Sequence, residues 1–351
     1  MDDSSHPFEF YDFCILITNI FAVMKIGVIG SGSWGTALVK ILTDNGCHVT
    51  WCVRSLRMAD HIRTRHHNPK YLSSIYFSNT NLEVVDKPED VYTNADAIVI
   101  AVPSAYVNDY ISPFLETIEK GKIIISATKG ILPQCNLLLN QHLKEKIHFD
   151  CDNYIAIMGP CHAEEVALER LSYLTIACSD AKKAKIIAQN LSSNYIKTKI
   201  SDDIIGTEYA AMLKNIFAIA AGIAHGLGYG DNFQSVLMSN SIREMKKFIR
   251  KVHRMKRNIN DSAYLGDLLV TGYSVFSRNR MFGNMIGKGY TVKSAMMEMS
   301  MVSEGYYATK SAWKLNQSYR AKTPIIDAVY EILYEGKDAK KVFKKLTEKL
   351  D

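Results

Sequence analysis

Apolar positions follow two rhythms along this chain, and the change between them falls near residue 200. From Met24 onward, short unbroken apolar runs alternate with stretches of helical spacing. Lys25–Gly30 (KIGVIG) is the first run and ends in glycine. Thr36–Asn45 then has helical spacing and stops at Gly46, a residue suited to closing a helix. His48–Arg54, Ala97–Val102, Lys122–Ala127 and Tyr154–Met158 read as further strands. Strands without polar alternation are covered on both faces, so the pattern predicts an α/β fold with a doubly wound parallel sheet.

Behind residue 203 the strand signals stop. Helical spacing predicts helices over 205–228, 232–254, 291–314 and 324–334, and a last, Lys-rich helix over 337–351. The expected organisation is therefore an extension over 1–23, a dinucleotide-binding domain over 24–202 and an all-helical substrate-binding domain over 203–351. Residues 11–23 (YDFCILITNIFAV) are apolar but too few to span a bilayer comfortably. Their upstream flank carries Asp2, Asp3 and Glu9 and no Lys or Arg, the reverse of a secretory signal. The expectation is a dispensable extension and a cytoplasmic protein without membrane insertion.

Between the first strand and the first helix stands Gly30-Ser31-Gly32-Ser33-Trp34-Gly35, which fits GxGxxG in the context the motif requires. Gly30 permits the tight turn, Gly32 lets the backbone approach a pyrophosphate, and Gly35 lets helix and strand pack closely. Free N–H groups at the helix start favour the phosphates. The alternative is a plain glycine-rich turn. A Rossmann-type site specific for NAD usually carries an acidic residue at the end of the second strand. Here that strand ends Trp51-Cys52-Val53-Arg54. Arg54 can take a 2′-phosphate and stack on adenine, which favours NADP, or NADP and NAD together, with NADPH slightly preferred; otherwise it is a surface arginine.

Basic residues exceed acidic ones by 42 − 36 = +6. That excess suits anionic metabolites and is too small to argue for nucleic acid. Arg243–Arg257 (REMKKFIRKVHRMKR) is the one strongly basic run, and its apolar residues Met245, Phe248, Ile249, Val252 and Met255 recur at helical spacing. It reads as an amphipathic helix with a solvated basic face. The seven cysteines are odd in number and form no CxxC pair, so they read as reduced thiols with no metal site.

Lys214 lies in Ala210–Gly222 (AAMLKNIFAIAAG), where Asn215 is the only other polar side chain. A buried ammonium without a partner costs several kcal/mol, so it must give up its proton readily or find a charge elsewhere in the chain. Either outcome suits acid/base work near neutrality. The alternative is a packed stem with its head in water. Asp267, alone in Leu265–Thr271 (LGDLLVT), is the expected partner, since two lone opposite charges in apolar segments are best explained by each other. Lys129 follows the strand Lys122–Ala127 and so can face the ligand crevice, or is a plain loop lysine. Arg278-Asn279-Arg280 offers guanidinium forks for a phosphate, or is a solvated loop. Cys161-His162, with Glu164 and Glu165, follows Gly159-Pro160 at a helix start and reads as local capping chemistry rather than as a nucleophile or metal site.

Taken in order, these segments resemble bacterial glycerol-3-phosphate dehydrogenase from about Met24 to about Leu346. The matching segments are GSGSWGTAL (30–38), IAVPS (100–104), SATKGI (126–131), MGPCHAEEVA (158–167), LKNIFAIAAGIAHGLGYGDN (213–232), GDLLVT (266–271), SRNRMFG (277–283) and VSEGYYATK (302–310). The resemblance implies reduction of dihydroxyacetone phosphate to sn-glycerol 3-phosphate with NAD(P)H, supply of phospholipid synthesis, and a homodimer. It implies cofactor contacts at Ser33, Trp34, Arg54, Lys129, Ala163, Arg278, Val302 and Glu304. It implies substrate contacts at Lys129, Gly159, Cys161, Lys214, Asn215, Asp267, Ser277, Arg278 and Asn279, with Lys214 as proton donor or acceptor. Two departures stand out. Met158-Gly159-Pro160-Cys161 replaces the usual Ser-Gly-Pro-Thr or Ser-Gly-Pro-Ser, and a thiol is a poorer hydrogen-bonding group than a hydroxyl. The run 243–257 is also more basic than the family pattern. Two rival readings are a similarly built dehydrogenase of hydroxy acids or acyl-CoA, and a nicotinamide-sensing module without chemistry.

Overall fold

A computed structural model describes residues 24–78, 80–119, 121–299 and 303–351, so the 1–23 extension and Val302 lie outside the described residues. Eight strands form one sheet: β1 Ile26–Ile29, β2 Val49–Cys52, β3 Leu82–Val85, β4 Ala97–Ile100, β5 Ile123–Ser126, β6 Tyr154–Met158, β7 Ser172–Ala177 and β8 Ile196–Ser201. Their order is β3-β2-β1-β4-β5-β6-β7-β8. The direction of winding reverses at β1, where Ile26 lies beside Val49 on one side and Ala97 on the other. A ligand crevice opens at the C-terminal ends of strands at such a point. Successive residues point to opposite faces: Val28, Trp51 and Val99 join one apolar cluster, and Ile29, Cys52 and Ile100 the other.

All five expected strands are present, and three more join them. The wholly parallel sheet needs one correction, because β7 runs antiparallel to β6, with Met158 opposite Thr175. Between them lies only the helix Ala163–Ala167.

From Ile204 onward every regular element among the described residues is a helix. The central helix Ile204–Gly226 packs against the helices Asp231–Val252, Asp267–Tyr273, Arg278–Gly287, Glu304–Tyr319 and Pro324–Tyr334. By length and composition it could cross a membrane, yet 94% of that apolar window is buried inside the fold. Tyr154 at the start of β6 donates a 2.7 Å hydrogen bond to Glu208, which ties this helix to the sheet. The expected helix over 291–314 is two helices, Val292–Glu298 and Glu304–Tyr319. The basic helix ends at Val252, so Arg254, Met255, Lys256 and Arg257 lie beyond it. Its run of charge is partly structural: Arg243 bridges the C-terminal Asp351, and Arg257 pairs with Asp203.

Gly222 and Gly226 of the central helix cross Gly283 and Gly287 of Arg278–Gly287 at backbone contact. A Cβ on Gly222 would lie 2.0 Å from the Arg280 carbonyl oxygen, and one on Gly283 would lie 2.1 Å from that of Ile219. Backbone cannot yield as a flexible side chain can. Gly283→Ala is therefore expected to cost about 3 kcal/mol or more, read as a lower midpoint in urea unfolding. A midpoint equal to wild type would disprove the close crossing.

Candidate active site

The glycine loop sits at the carboxyl end of β1. Gly30 has φ +130°, and a Cβ there would meet the Ala101 carbonyl oxygen at 2.5 Å. A Cβ on Gly35 would lie 2.2 Å from the Gly30 carbonyl oxygen. A Cβ on Gly32 meets nothing within 4 Å, so the space beside it is open. The three carbonyls of the loop are all engaged by protein donors. Trp51 Nε1 donates to Gly30 O (2.9 Å), Asn68 Nδ2 to Ser31 O (3.0 Å) and Thr36 Oγ1 to Gly32 O (2.9 Å). No loop carbonyl is left to repel an anion. The helix Ser33–Asp44 starts here with no side-chain cap, so its first N–H groups are available to a phosphate. These residues fit a dinucleotide.

The loop is one end of a cleft of about 710 Å³. Gly30, Gly32, Ser33, Trp34, Arg54, Lys129, Cys161, Ala163, Lys214, Asn215, Asp267, Ser277, Arg278, Asn279 and Glu304 all line it. Two expected residues do not. Gly35 packs behind the loop, in the role its position predicted. Gly159 sits just past β6 with φ +124°, and a Cβ there would lie 2.9 Å from the Tyr173 carbonyl oxygen, so the turn into β7 requires glycine.

Lys214 and Asp267 form an ion pair, and only 4% and 2% of these residues is exposed. Burial lowers the proton affinity of Lys214; Asp267 opposes that shift and Lys129 adds to it. The net result is an amine below the ordinary lysine range. Beside it Asn215 lines the cleft, and its Nδ2 is buried without a protein partner. Ser277 caps the helix Arg278–Gly287 by accepting from Arg280 N (3.3 Å). Asn279 Oδ1 accepts from Ser303 Oγ and Gly305 N, both at 2.9 Å, and this fixes the start of the helix that carries Glu304. Arg278 Nη2 donates to Ser33 Oγ at 3.2 Å and so connects the helical part to the glycine loop. Lys129 Nζ lies 5.5 Å from the centre of the Trp34 ring. Burial pushes the Glu304 carboxyl up, against Lys129, Arg278 and Lys214.

Burial drives the Cys161 thiol up to about 12, so it supplies no thiolate at neutral pH, in keeping with its reading as a non-nucleophile. Sequence reasoning missed four contributors. His162 lines the cleft; burial, with Lys129 and Lys214, lowers its pKa to about 4, so it is neutral there. Lys70 and Tyr71 line the cleft together with Arg54. Asn68, fully buried, holds their loop by accepting from Lys70 N (2.9 Å) and Tyr71 N (3.1 Å) while donating to the glycine loop. The cue was Asn-Pro in HHNPKY, a turn signal, but nothing local said that the turn folds back on Gly30–Gly35.

A glycine loop whose carbonyls are all occupied, opening into one cleft with a buried lysine–aspartate pair, defines a Rossmann-type NAD(P)-dependent dehydrogenase. Comparison with known proteins narrows the class. Residues 25–184 and 203–344 match the family models for the NAD-dependent glycerol-3-phosphate dehydrogenase N-terminus and C-terminus. The chain is 34% identical over 313 residues to a glycerol-3-phosphate dehydrogenase (NAD(P)+) of Bacillus velezensis, covering 89% of this chain and 90% of the relative. It is 33% identical over 329 residues to one from Limosilactobacillus reuteri, covering 93% and 97%. The crystal structure of glycerol-3-phosphate dehydrogenase from Coxiella burnetii superposes with a TM-score of 0.87 at 28% identity, over 93% of this chain and 99% of that one. The chain belongs to the NAD-dependent glycerol-3-phosphate dehydrogenase family.

The open space at Gly32 and the tight space at Gly35 separate binding from folding. Gly32→Ala is expected to keep the wild-type Tm and to weaken NADPH binding about tenfold or more, since its methyl group fills the pyrophosphate position. Gly35→Ala is expected to lower Tm by about 5 °C or more. Thermal scans and a fluorescence titration with NADPH check both, and the reverse pattern would refute the assignment.

Proposed function

We propose that this protein reduces dihydroxyacetone phosphate to sn-glycerol 3-phosphate, reversibly, with NADPH slightly preferred over NADH. The observation that carries the reading is the buried Lys214–Asp267 pair, which shares a cleft with Arg278, Asn279 and the glycine loop. When bound, the reduced nicotinamide supplies the hydride. Arg278, with the Asn279 amide nitrogens and Ser277, holds the substrate phosphate, and Asn215 Nδ2 donates to the substrate. Lys214 gives its proton to the ketone oxygen as negative charge develops there, and takes one back in the oxidation. Lys129 adds positive charge to the same oxygen, and Asp267 aims the amine. Cys161 forms part of the cleft wall beside the substrate, and Glu304, with Ala163, completes the cofactor contacts. Preorganised cations at a forming oxyanion contribute a few kcal/mol in a site that excludes water.

The preference for NADPH rests on Arg54, just past β2, and Lys70, in the loop before β3, both of which line the cleft. The protein acts in the cytoplasm as a homodimer, and its product feeds phospholipid synthesis. The exposed Val275, Met281 and Met297 of the helical part supply apolar surface for the dimer.

Lys214→Ala is expected to lower kcat by about 10²-fold or more and to leave NADPH affinity unchanged. Near-normal turnover would remove Lys214 from the mechanism. Reduction requires the protonated amine, so its rate falls as pH rises through the Lys214 pKa, which burial has brought below the ordinary lysine value. Asp267 opposes that lowering, so Asp267→Asn moves the alkaline limb to lower pH; a limb that stays in place would contradict the pairing. Arg54→Ala and Lys70→Ala should each raise KM for NADPH about tenfold, roughly one lost charge-assisted contact, with KM for NADH little changed. Equal effects on both cofactors would argue against a 2′-phosphate grip.

A further inference from the structure

Asp203 is a buried carboxylate at the point where β8 gives way to the central helix. It accepts from Gly206 N at 3.0 Å and so caps the helix that carries Lys214. It also accepts from Arg257 Nε at 2.6 Å and Nη2 at 3.1 Å, and from the Tyr264 hydroxyl. His253 Nδ1 stands 3.8 Å away. The arrangement is close enough to dictate sequence, because a Cβ on Gly206 would lie 2.1 Å from the Asp203 carboxylate. Arg257 is held in turn, donating from Nη1 to the His253 carbonyl at 3.1 Å. Burial would push the Asp203 carboxyl up, but Arg257 and Tyr264 hold it below the usual range.

Tyr264 belongs to a single π turn, Ser262–Gly266, which runs directly into Asp267. A π turn holds one more residue than an α turn, so exchanging one for the other rotates everything that follows by about 100°. Asp267 is the first residue to follow. One carboxylate therefore grips both the start of the Lys214 helix and the turn that presents Asp267. We propose that Asp203, Arg257 and Tyr264 form a positioning clamp that sets the contact between Lys214 and Asp267. None of the three lines the cleft, so they act only through that pair. The inference rests on the proton-transfer role given above to Lys214.

Tyr264→Phe removes one hydroxyl, keeps the ring and leaves Arg257 to neutralise Asp203. The charges that face Lys214 are Asp267, Lys129 and Glu304, and of these the clamp controls only Asp267. With Asp267 loosened, Lys214 holds its proton less firmly and the alkaline limb of the reduction moves to lower pH. The expected result is a kcat lowered about tenfold, a displaced limb, an unchanged KM for NADPH and an unchanged Tm. Arg243→Ala, which breaks the distant pair with Asp351, should do none of this. Wild-type kcat and pH profile in Tyr264→Phe would overturn the clamp, and so would a kcat that falls with the limb in place. Should Tyr264→Phe fail to fold, Arg257→Lys, which keeps the charge and loses the fork, is read in the same way. A crystal structure of the variant reports the turn without an assay: an unchanged π turn with Asp267 still on Lys214 overturns the clamp even if wild type proves inactive on dihydroxyacetone phosphate.

Discussion

The structure is organised around one ion pair in an apolar interior. Burying a lone ammonium or a lone carboxylate costs several kcal/mol, and the mutual attraction of a close pair offsets that cost only with good geometry. Two well-packed apolar residues would make a more stable helical core. Folding stability alone therefore does not account for Lys214 and Asp267, and their surroundings hold them together. The central helix supplies one partner, the first residue of Asp267–Tyr273 supplies the other, and Asn215 and the Ser277–Asn279 corner line the same cleft. The same burial that is costly for stability brings the amine toward a pKa useful for proton transfer.

The sheet contributes a complementary site by different means. Here the polar groups are backbone, and the work lies in turning carbonyls away. Trp51, Asn68 and Thr36 each take one carbonyl of the glycine loop, so the amide side is left toward the cleft. Arg278 reaches from the helical part to Ser33 in that loop. One side chain thereby touches the binding elements of both halves of the cleft.

Features that depend on a few consecutive residues were legible in the sequence. The strand–GxGxxG–helix unit, Gly46 as a helix stop, and Lys214 with Asp267 as mutual partners all rest on local pattern. What escaped was set by distant contacts. β3 (LEVV) is interrupted by the exposed Glu83, and β8 (IKTKIS) is an exposed edge strand with no continuous apolar signal. No local pattern reports the reversal at β7, and the π turn is gripped by a carboxylate some sixty residues away. Periodicity over 291–314 was sound, but the chain breaks to let Ser303 and Gly305 reach Asn279. In the basic run 243–257, Arg243, Lys246, Lys247, Arg250, Lys251, Arg254 and Lys256 are exposed, as a solvated face should be, and what escaped was the pairing of Arg257 with the sequence-distant Asp203. Lys70 and His162 sit in loops whose direction no local pattern reports.

The glycine crossing makes the cleft a ruler. Lys214 stands two turns, about 12 Å, before Gly222 on one rod, and Arg278 stands just ahead of Gly283 on the other. With the rods riveted backbone to backbone, the spacing between the stems of Lys214 and Arg278 is set by the crossing. Selection for a different spacing of these stems would have to reposition a whole helix.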